Sequence, residues 1–231
     1  MGIGHFGVAL IAKRAEPKLS LGTATLAALL ADFVGFALLI AGVEHFSPVA
    51  GAAVNRMIGD HIVWSHSLAM DTFYGAVFAA FYFAIRRFSK GAWILFALVL
   101  SHWILDSISH RPDMALAPGI AMRLGFGLWN SYPATVLVEG GFWLAAAILY
   151  ARATQSKSLA AAIAFWTGVA LLTFIGLANP LQGIDPDPRR AGIGGFAVFT
   201  IFVAWAYWMN RVRIRSRSET PPDSGSNRSD R

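Results

Sequence analysis

Three side chains that can bind a metal ion or carry a proton lie four residues apart near the end of an apolar run. His102, Asp106 and His110 occur in the stretch S-H-W-I-L-D-S-I-S-H-R-P, residues 101–112. Positions four apart are separated by about 40° around an α-helix, so the three side chains are expected on one helix face. Pro112 is expected to end that helix. Because an ionisable side chain in lipid costs at least about 2.5 kcal/mol, this face must meet polar partners from other segments.

Other apolar segments carry side chains of the same types, and these are the candidate partners: His5, Asp32, His61, His66, Asp71 and Glu139. Imidazole and carboxylate groups bind zinc and other divalent first-row ions. The absence of cysteine excludes thiolate ligation, disulfides and thiol catalysis. A single buried His or Asp more often forms a hydrogen bond between membrane helices, and Asp71 is expected to pair with Ser67. Because several such residues are expected to converge in the same part of the membrane, the sequence predicts a metal site there.

The composition is typical of an all-α polytopic membrane protein. The chain has 231 residues, of which 56% are hydrophobic, and its mean hydropathy is +0.54. Apolar length and flanking breakers predict six transmembrane helices, at 21–43, 62–85, 91–110, 133–153, 159–179 and 192–210. Residues 1–12 are too short to cross and are expected to form a re-entrant or interfacial helix. We therefore expect one transmembrane domain over 1–210 and a basic, then disordered, cytoplasmic tail over 211–231.

The positive charges indicate how the chain is oriented. The net charge is +6 and the isoelectric point is near 10.1. Of the 19 Lys and Arg residues, one side of the membrane holds only Arg56, Arg111, Arg123, Arg189 and Arg190. This bias predicts that both termini are cytoplasmic, and it explains the basic residues as orientation signals rather than nucleic-acid contacts. No basic n-region or cleavage site is found, so no cleaved signal peptide is expected.

The same residues resemble the YdjM-like family of bacterial membrane-bound metal-dependent hydrolases. The similar features are an N-terminal His (His5), an Asp after an apolar first segment (Asp32), an H-x-x-x-x-H-S element (61–67) and an H-x-x-x-D pair (102–106). The resemblance covers roughly the first half of the chain. The order of ligands is also, more distantly, similar to zinc-dependent phospholipase C. The chain departs from the family's L-P-D-x-D-H pattern, because Asp32 stands in L-A-D-F-V-G-F.

The clustering of these residue types, together with the resemblance, predicts a membrane-embedded metal-dependent hydrolase of the bacterial inner membrane. The expected position of the site predicts a phosphoester or ester of a lipid or envelope substrate. One or two divalent ions, with zinc expected, would be held by His5, Asp32, His66, His102 and Asp106. Asp106 would bridge ions or take part in catalysis, and Glu139 would be a general base or an extra ligand. His61 and His110 would contact the ligands and fix their tautomers. Arg123, Asn130 and Ser131 would meet a polar headgroup.

Two other functions use the same residues. A transporter would employ Asp32, His66, His102, Asp106 and Glu139 as a proton or ion relay, and would be expected to show broken helices in both halves of the chain. A non-enzymatic membrane protein would pack this polar face against another subunit. In that case the His and Asp residues should tolerate replacement by Gln and Asn.

Overall fold

The computed structural model describes residues 2–49, 51–54, 56–59, 61–178 and 187–216, and it is mostly helical. The helices are α1 (Gly4–Ala15), α2 (Leu21–Ala28), α3 (Leu30–Ala41), α4 (Leu68–Arg86), α5 (Ser89–Ser109), α6 (Tyr132–Thr135), α7 (Gly141–Ala153), α8 (Leu159–Ala178) and α9 (Pro188–Val212). A 3-10 turn at Leu128–Asn130 precedes α6, and a π-helical turn at Val136–Gly140 joins α6 to α7.

Three antiparallel pairs of very short strands connect the helices. They are β1 (Ser47–Pro48) with β2 (Met57–Ile58), β3 (Met114–Ala115) with β4 (Arg123–Leu124), and β5 (Thr154–Ser156) with β6 (Arg213–Arg215). Helix α9 continues to Val212, beyond the predicted end of the sixth span at residue 210, and β6 pairs with β5. The Arg213 guanidinium explains this pairing, because it packs 4.4 Å from the Phe165 ring centroid and donates to Thr154. Residues 217–231 of the predicted tail lie outside the described residues.

Five helical segments of the described chain are long and apolar enough to cross a membrane: α4, α5, the continuous α6–α7 segment Tyr132–Ala153, α8 and α9. A sixth span is present if α2 and α3, which are bent by 55°, are counted together. The predicted span at 62–85 begins later, at Leu68, because the Ser67 hydroxyl caps α4 by accepting from the Met70 N–H. Residues 62–67 are consequently not helical.

The first predicted span is broken in the middle. Helix α2 ends at Ala28 and α3 begins at Leu30, and neither proline nor glycine stands at the break. Sharp kinks without proline arise where a side chain interrupts the helical hydrogen bonds. Here the interrupting side chain comes from α5, as described below.

Helix α1 lies inside the bundle. It buries Gly4, His5, Phe6, Ala9 and Leu10, and it packs against α2, α5 and α7. Its 12 residues extend only about 18 Å, too short to cross the hydrocarbon core. The burial of α1 carries His5 into the interior, which an interfacial helix exposing one face to the headgroups would not do.

The exposed surface is that of a protein surrounded by lipid. The interior contains one cluster around Phe6, Trp143 and Phe165 and a second around Leu95 and Val99. Large apolar side chains nevertheless cover the outside of the spans, including Phe81 (67% exposed), Trp93 (71%) and Phe174 (66%). Water would strongly disfavour so much apolar surface on one small chain. The chain is therefore a multi-pass membrane protein.

Glycines on α9 allow close packing against α3, and this can be tested with adjacent positions. A Cβ added at Gly195 would lie 2.4 Å from Phe36 Cε1, whereas one added at Gly194 meets nothing within 4 Å. We expect Gly195→Ala to destabilise the protein by about 1–3 kcal/mol through overpacking. Gly194→Ala is the control and should be neutral or stabilising by up to about 1 kcal/mol. Thermal unfolding in detergent measures both, and equal midpoints would contradict the α3–α9 packing.

Candidate metal centre

The centre is built around His102, which is fully buried on α5. His102 Nδ1 lies 2.8 Å from the carbonyl oxygen of Ala28. A carbonyl only accepts hydrogen bonds, so Nδ1 carries a proton, and in the neutral ring Nε2 carries the lone pair. Ala28 is the last residue of α2, and the break at Leu29 leaves its carbonyl free of the helix, as expected at a helix end. The broken first span therefore provides the group that orients His102.

The lone pair of His102 Nε2 faces two carboxylates. Nε2 lies 3.2 Å from Asp106 Oδ2, one helical turn later on α5, and 3.8 Å from Asp32 Oδ2 on α3. It is buried and has no hydrogen-bond partner. A lone pair opposed by two anionic groups is unfavourable unless a positive charge lies between them. This arrangement requires a cation or an additional proton.

His5 enters the same cluster from α1. Its ring stacks on that of His102, with centroids 3.9 Å apart and planes 7° from parallel. His5 Nε2 lies 3.1 Å from Asp106 Oδ1, and because a carboxylate accepts, Nε2 donates. The other nitrogen, Nδ1, is buried without a hydrogen-bond partner. A second ring nitrogen is thus available for a cation.

His66 reaches the cluster from the non-helical segment before α4. Its Nε2 lies 3.5 Å from Asp32 Oδ1, and its ring centroid is 5.2 Å from that of His102. Close approach of α3 makes this possible, because a Cβ at Gly35 would lie 3.0 Å from His66 Cε1. Asp32 and Gly35, three residues apart, share the α3 face that meets His66.

Two groups of three residues could hold a metal ion. They are His5, Asp32 and His102, and His66, His102 and Asp106, and within each group the ligand atoms lie within 4.8 Å of one another. Ligands of an ion bound at about 2.0–2.2 Å are at most about 4.4 Å apart, so small side-chain shifts would complete coordination. The five residues predicted as ligands are therefore the five that the fold brings together. His and Asp ligands without cysteine suit zinc and similar divalent ions.

Glu139 contacts the start of α1. Its Oε1 accepts from the backbone N–H groups of Ile3 (2.8 Å) and Gly4 (3.4 Å), and its Oε2 accepts from Trp129 Nε1 (3.1 Å). These are free N–H groups at the start of α1, where a carboxylate is favoured by hydrogen bonding and by the helix dipole. Glu139 therefore holds the end of the helix that carries His5.

His61 and His110 have different positions. His61 is exposed, and its ring stacks on that of His45 with centroids 4.0 Å apart. His110 Nε2 lies 4.0 Å from Asp106 Oδ2, and its Nδ1 lies 3.1 Å from Asp113 Oδ1. Burial raises the pKa of the Asp113 carboxyl, but the hydrogen bond and charge of His110 outweigh it and hold this pKa below its ordinary value. Of these two histidines, His110 lies where it can orient a ligand.

Asp71 does not form the predicted pair with Ser67. It is fully buried on α4, and neither carboxylate oxygen has a hydrogen-bond partner. The Ser67 hydroxyl instead caps α4 by accepting from Met70. Asp71 lies within electrostatic range of His102 and His66. It is therefore an additional buried carboxyl beside the cluster.

The residues expected to meet a headgroup form local contacts in the loop between α5 and α6. Asn130 Oδ1 accepts from Arg111 Nε at 3.1 Å, and the Ser131 hydroxyl caps α6 by accepting from Ala134. Arg123 donates to the carbonyl of Ile120. These contacts shape the loop.

Four residues that contribute to the arrangement carry no signal in the sequence analysis: Ala28, Glu44, Ser65 and Trp129. Ala28 contributes only its carbonyl, which any residue type would supply. Glu44 directly follows Gly42 and Val43 at the end of the first predicted span, where a charged residue is expected to be exposed. In the structure it is 1% exposed and contacts Ser65, the residue before His66. The sequence alone does not show that Glu44 is buried.

Three comparisons with known proteins were made for this chain. A scan against protein-family models, a search of curated proteins and a search of solved structures each found no match to the chain. Function must therefore be argued from the site itself.

The position of Glu139 leads to a testable prediction. Removing its carboxylate in Glu139→Ala leaves the first N–H groups of α1 and the Trp129 indole without their acceptor, so we expect a loss of about 1–3 kcal/mol in stability. Displacement of His5 should also weaken metal binding. Thermal unfolding and metal titration of purified protein measure the two effects.

Glu16→Ala is the matched control, because Glu16 follows the other end of α1 and pairs with exposed Lys90 at 2.8 Å. Because Lys90 is exposed, its ion pair with Glu16 contributes at most about 1 kcal/mol, and metal affinity should not change. If Glu139→Gln removed activity while leaving stability and metal affinity intact, Glu139 would be a general base after all.

Proposed function

We propose that the protein is a membrane-embedded metal-dependent hydrolase, with zinc as the expected ion. The observation that carries this proposal is the buried, unpartnered His102 Nε2 facing Asp106 and Asp32. It belongs to a five-residue set in which His5 supplies a second unpartnered nitrogen. Because neutral imidazoles and ionised carboxylates are the forms that bind zinc, the donor set fits this ion.

The chain's own residues would perform distinct tasks around the ion. A divalent ion supplies Lewis-acid activation of water and of a phosphoryl or acyl oxygen. His5, His66 and His102 would hold it together with Asp106. Asp32 and His66 have side-chain exposures of 19% and 16%, against 0% for His102, so substrate would approach along that edge. With Glu139 engaged at α1, Asp32 is the carboxylate best placed to receive a proton from an attacking water.

The membrane setting suggests the substrate class. A polar cluster enclosed by spans with lipid-exposed apolar surfaces favours a lipid-derived or envelope substrate with a phosphoester or ester bond. The proposed localisation is the bacterial inner membrane with both termini cytoplasmic, in keeping with the distribution of Lys and Arg. The resemblance to YdjM-like hydrolases agrees with this proposal.

Metal content tests the proposal directly. We expect detergent-purified protein to contain at least one divalent ion per chain by elemental analysis. His102→Ala should lower affinity by more than the roughly 10–100-fold loss that follows removal of a residue that only orients a ligand. His102→Ala combined with Asp106→Ala should lower the content to background.

His45→Ala is the matched control, since it removes an exposed imidazole outside the cluster. Its metal content should equal that of the unmodified protein. Hydrolysis of phospholipid and model phosphoester substrates, with and without chelator, then tests the reaction. A protein without stoichiometric metal, or a double variant with unchanged content, would overturn the proposal.

A second candidate, a proton relay, is favoured by the continuity of the polar side chains. Ser65, His66, Asp32 and His102 follow one another at 2.7, 3.5 and 3.8 Å. Asp106 and His110 extend the series at 3.2 and 4.0 Å. In this alternative a proton, rather than a metal ion, occupies the position at His102 Nε2. Within the described residues, however, the single bent pair of helices lies in the first span, without a counterpart in the second half.

Reconstituted vesicles distinguish the two functions. A relay should acidify or alkalinise vesicles under an imposed gradient, and Asp32→Asn should abolish this flux in metal-free protein. The hydrolase should show no such flux, and its activity should be lost with chelator and restored by added zinc.

A further inference from the structure

Glu44, in the loop after α3, is a buried carboxylate that neither the ligand set nor the proposed reaction uses. It is 1% exposed and accepts three hydrogen bonds from residues 64–65. The donors are the Trp64 N–H at 2.7 Å, the Ser65 N–H at 3.0 Å and the Ser65 hydroxyl at 2.6 Å. Burying a carboxylate is costly unless hydrogen bonds compensate for the lost hydration. The three donors on this short segment compensate Glu44, and in return Glu44 fixes the conformation of residues 64–65.

The direction of these hydrogen bonds determines the proton position on His66. The Glu44 carboxylate can only accept, so the Ser65 hydroxyl donates its single proton in the hydrogen bond to Glu44. Ser65 Oγ then has only lone pairs to offer His66 Nδ1, which lies 2.7 Å away. Nδ1 must therefore carry a proton, and in the neutral ring this leaves the lone pair on Nε2, the nitrogen that faces Asp32 at 3.5 Å.

We propose that Glu44 is a positioning residue that acts through Ser65 to fix the tautomer and orientation of His66, and so presents Nε2 as a metal ligand. This inference rests on the proposed metal centre. His102 is oriented in a similar way, because the Ala28 carbonyl accepts the hydrogen bond from its Nδ1–H group. Hydrogen bonds of this kind commonly orient the histidine ligands of metal sites.

Ser65→Ala is the sharpest variant, since it cuts the link to His66 while leaving Glu44 its two backbone donors. We expect divalent-ion affinity, measured with zinc in competition with a chelating dye, to fall about 10–100-fold. Ser109→Ala is the matched control, because Ser109 is also fully buried but donates to the Leu105 carbonyl. Its zinc affinity should stay within about twofold of the unmodified protein. Glu44→Gln should lower the affinity in the same direction as Ser65→Ala.

A double-mutant cycle separates positioning from a general loss of structure. In a His66→Ala background, Ser65→Ala should cause no further loss of zinc affinity. An equal loss in both backgrounds, or no loss in Ser65→Ala alone, would overturn the inference.

Nitrogen NMR of labelled histidine provides a readout that does not need metal. In zinc-free protein His66 should be the Nδ1–H tautomer, and Ser65→Ala should lose this preference. Protonation of Nε2 in the unmodified protein would overturn the inference even if zinc binds. If His66 shows the expected tautomer but no zinc binds, the metal centre fails while the Glu44–Ser65–His66 link stands, so the two failures are distinguishable.

Discussion

The hydrogen bond from His102 Nδ1 to the Ala28 carbonyl is the interaction on which the centre depends. In a continuous helix that carbonyl would accept from the N–H four residues later, and His102 would find no acceptor there. The break at Leu29 frees the carbonyl, and the 55° bend sets the direction of α3. Asp32, in the first turn of α3, consequently lies 3.8 Å from His102 Nε2. One contact thus links the shape of the first span, the tautomer of His102 and the place of Asp32.

The membrane makes this requirement stricter than it would be in water. Backbone groups without partners are not tolerated against lipid, so a helix can break only where protein covers the break. Ala28 and Leu29 are both fully buried, and the apolar residues of α1, α2 and α5 enclose them. The packing that shields the broken backbone from lipid also excludes water around His102, which strengthens the attraction between the cluster and a cation.

Each imidazole of the cluster is held by a different kind of acceptor. His102 donates to a backbone carbonyl, His66 to the Ser65 hydroxyl and His5 to the Asp106 carboxylate. In its neutral form every ring therefore keeps one nitrogen without a proton. The acceptors lie on three separate parts of the chain, so the set of lone pairs is a property of the assembled bundle and of no single helix.

The sequence by itself determined the membrane class, most of the helical spans and the types of the clustered residues, because hydropathy and helical spacing are local properties. The shared face of His102 and Asp106 follows from their four-residue separation alone. Only the tertiary structure decided that the first span breaks at Leu29, that α1 is buried and that Glu139 holds its start. The physical reason is distance along the chain: Glu139 accepts from Ile3 across 136 residues, and His102 donates to Ala28 across 74. Such pairings depend on which donors and acceptors packing leaves unsatisfied, which spacing within one helix does not reveal.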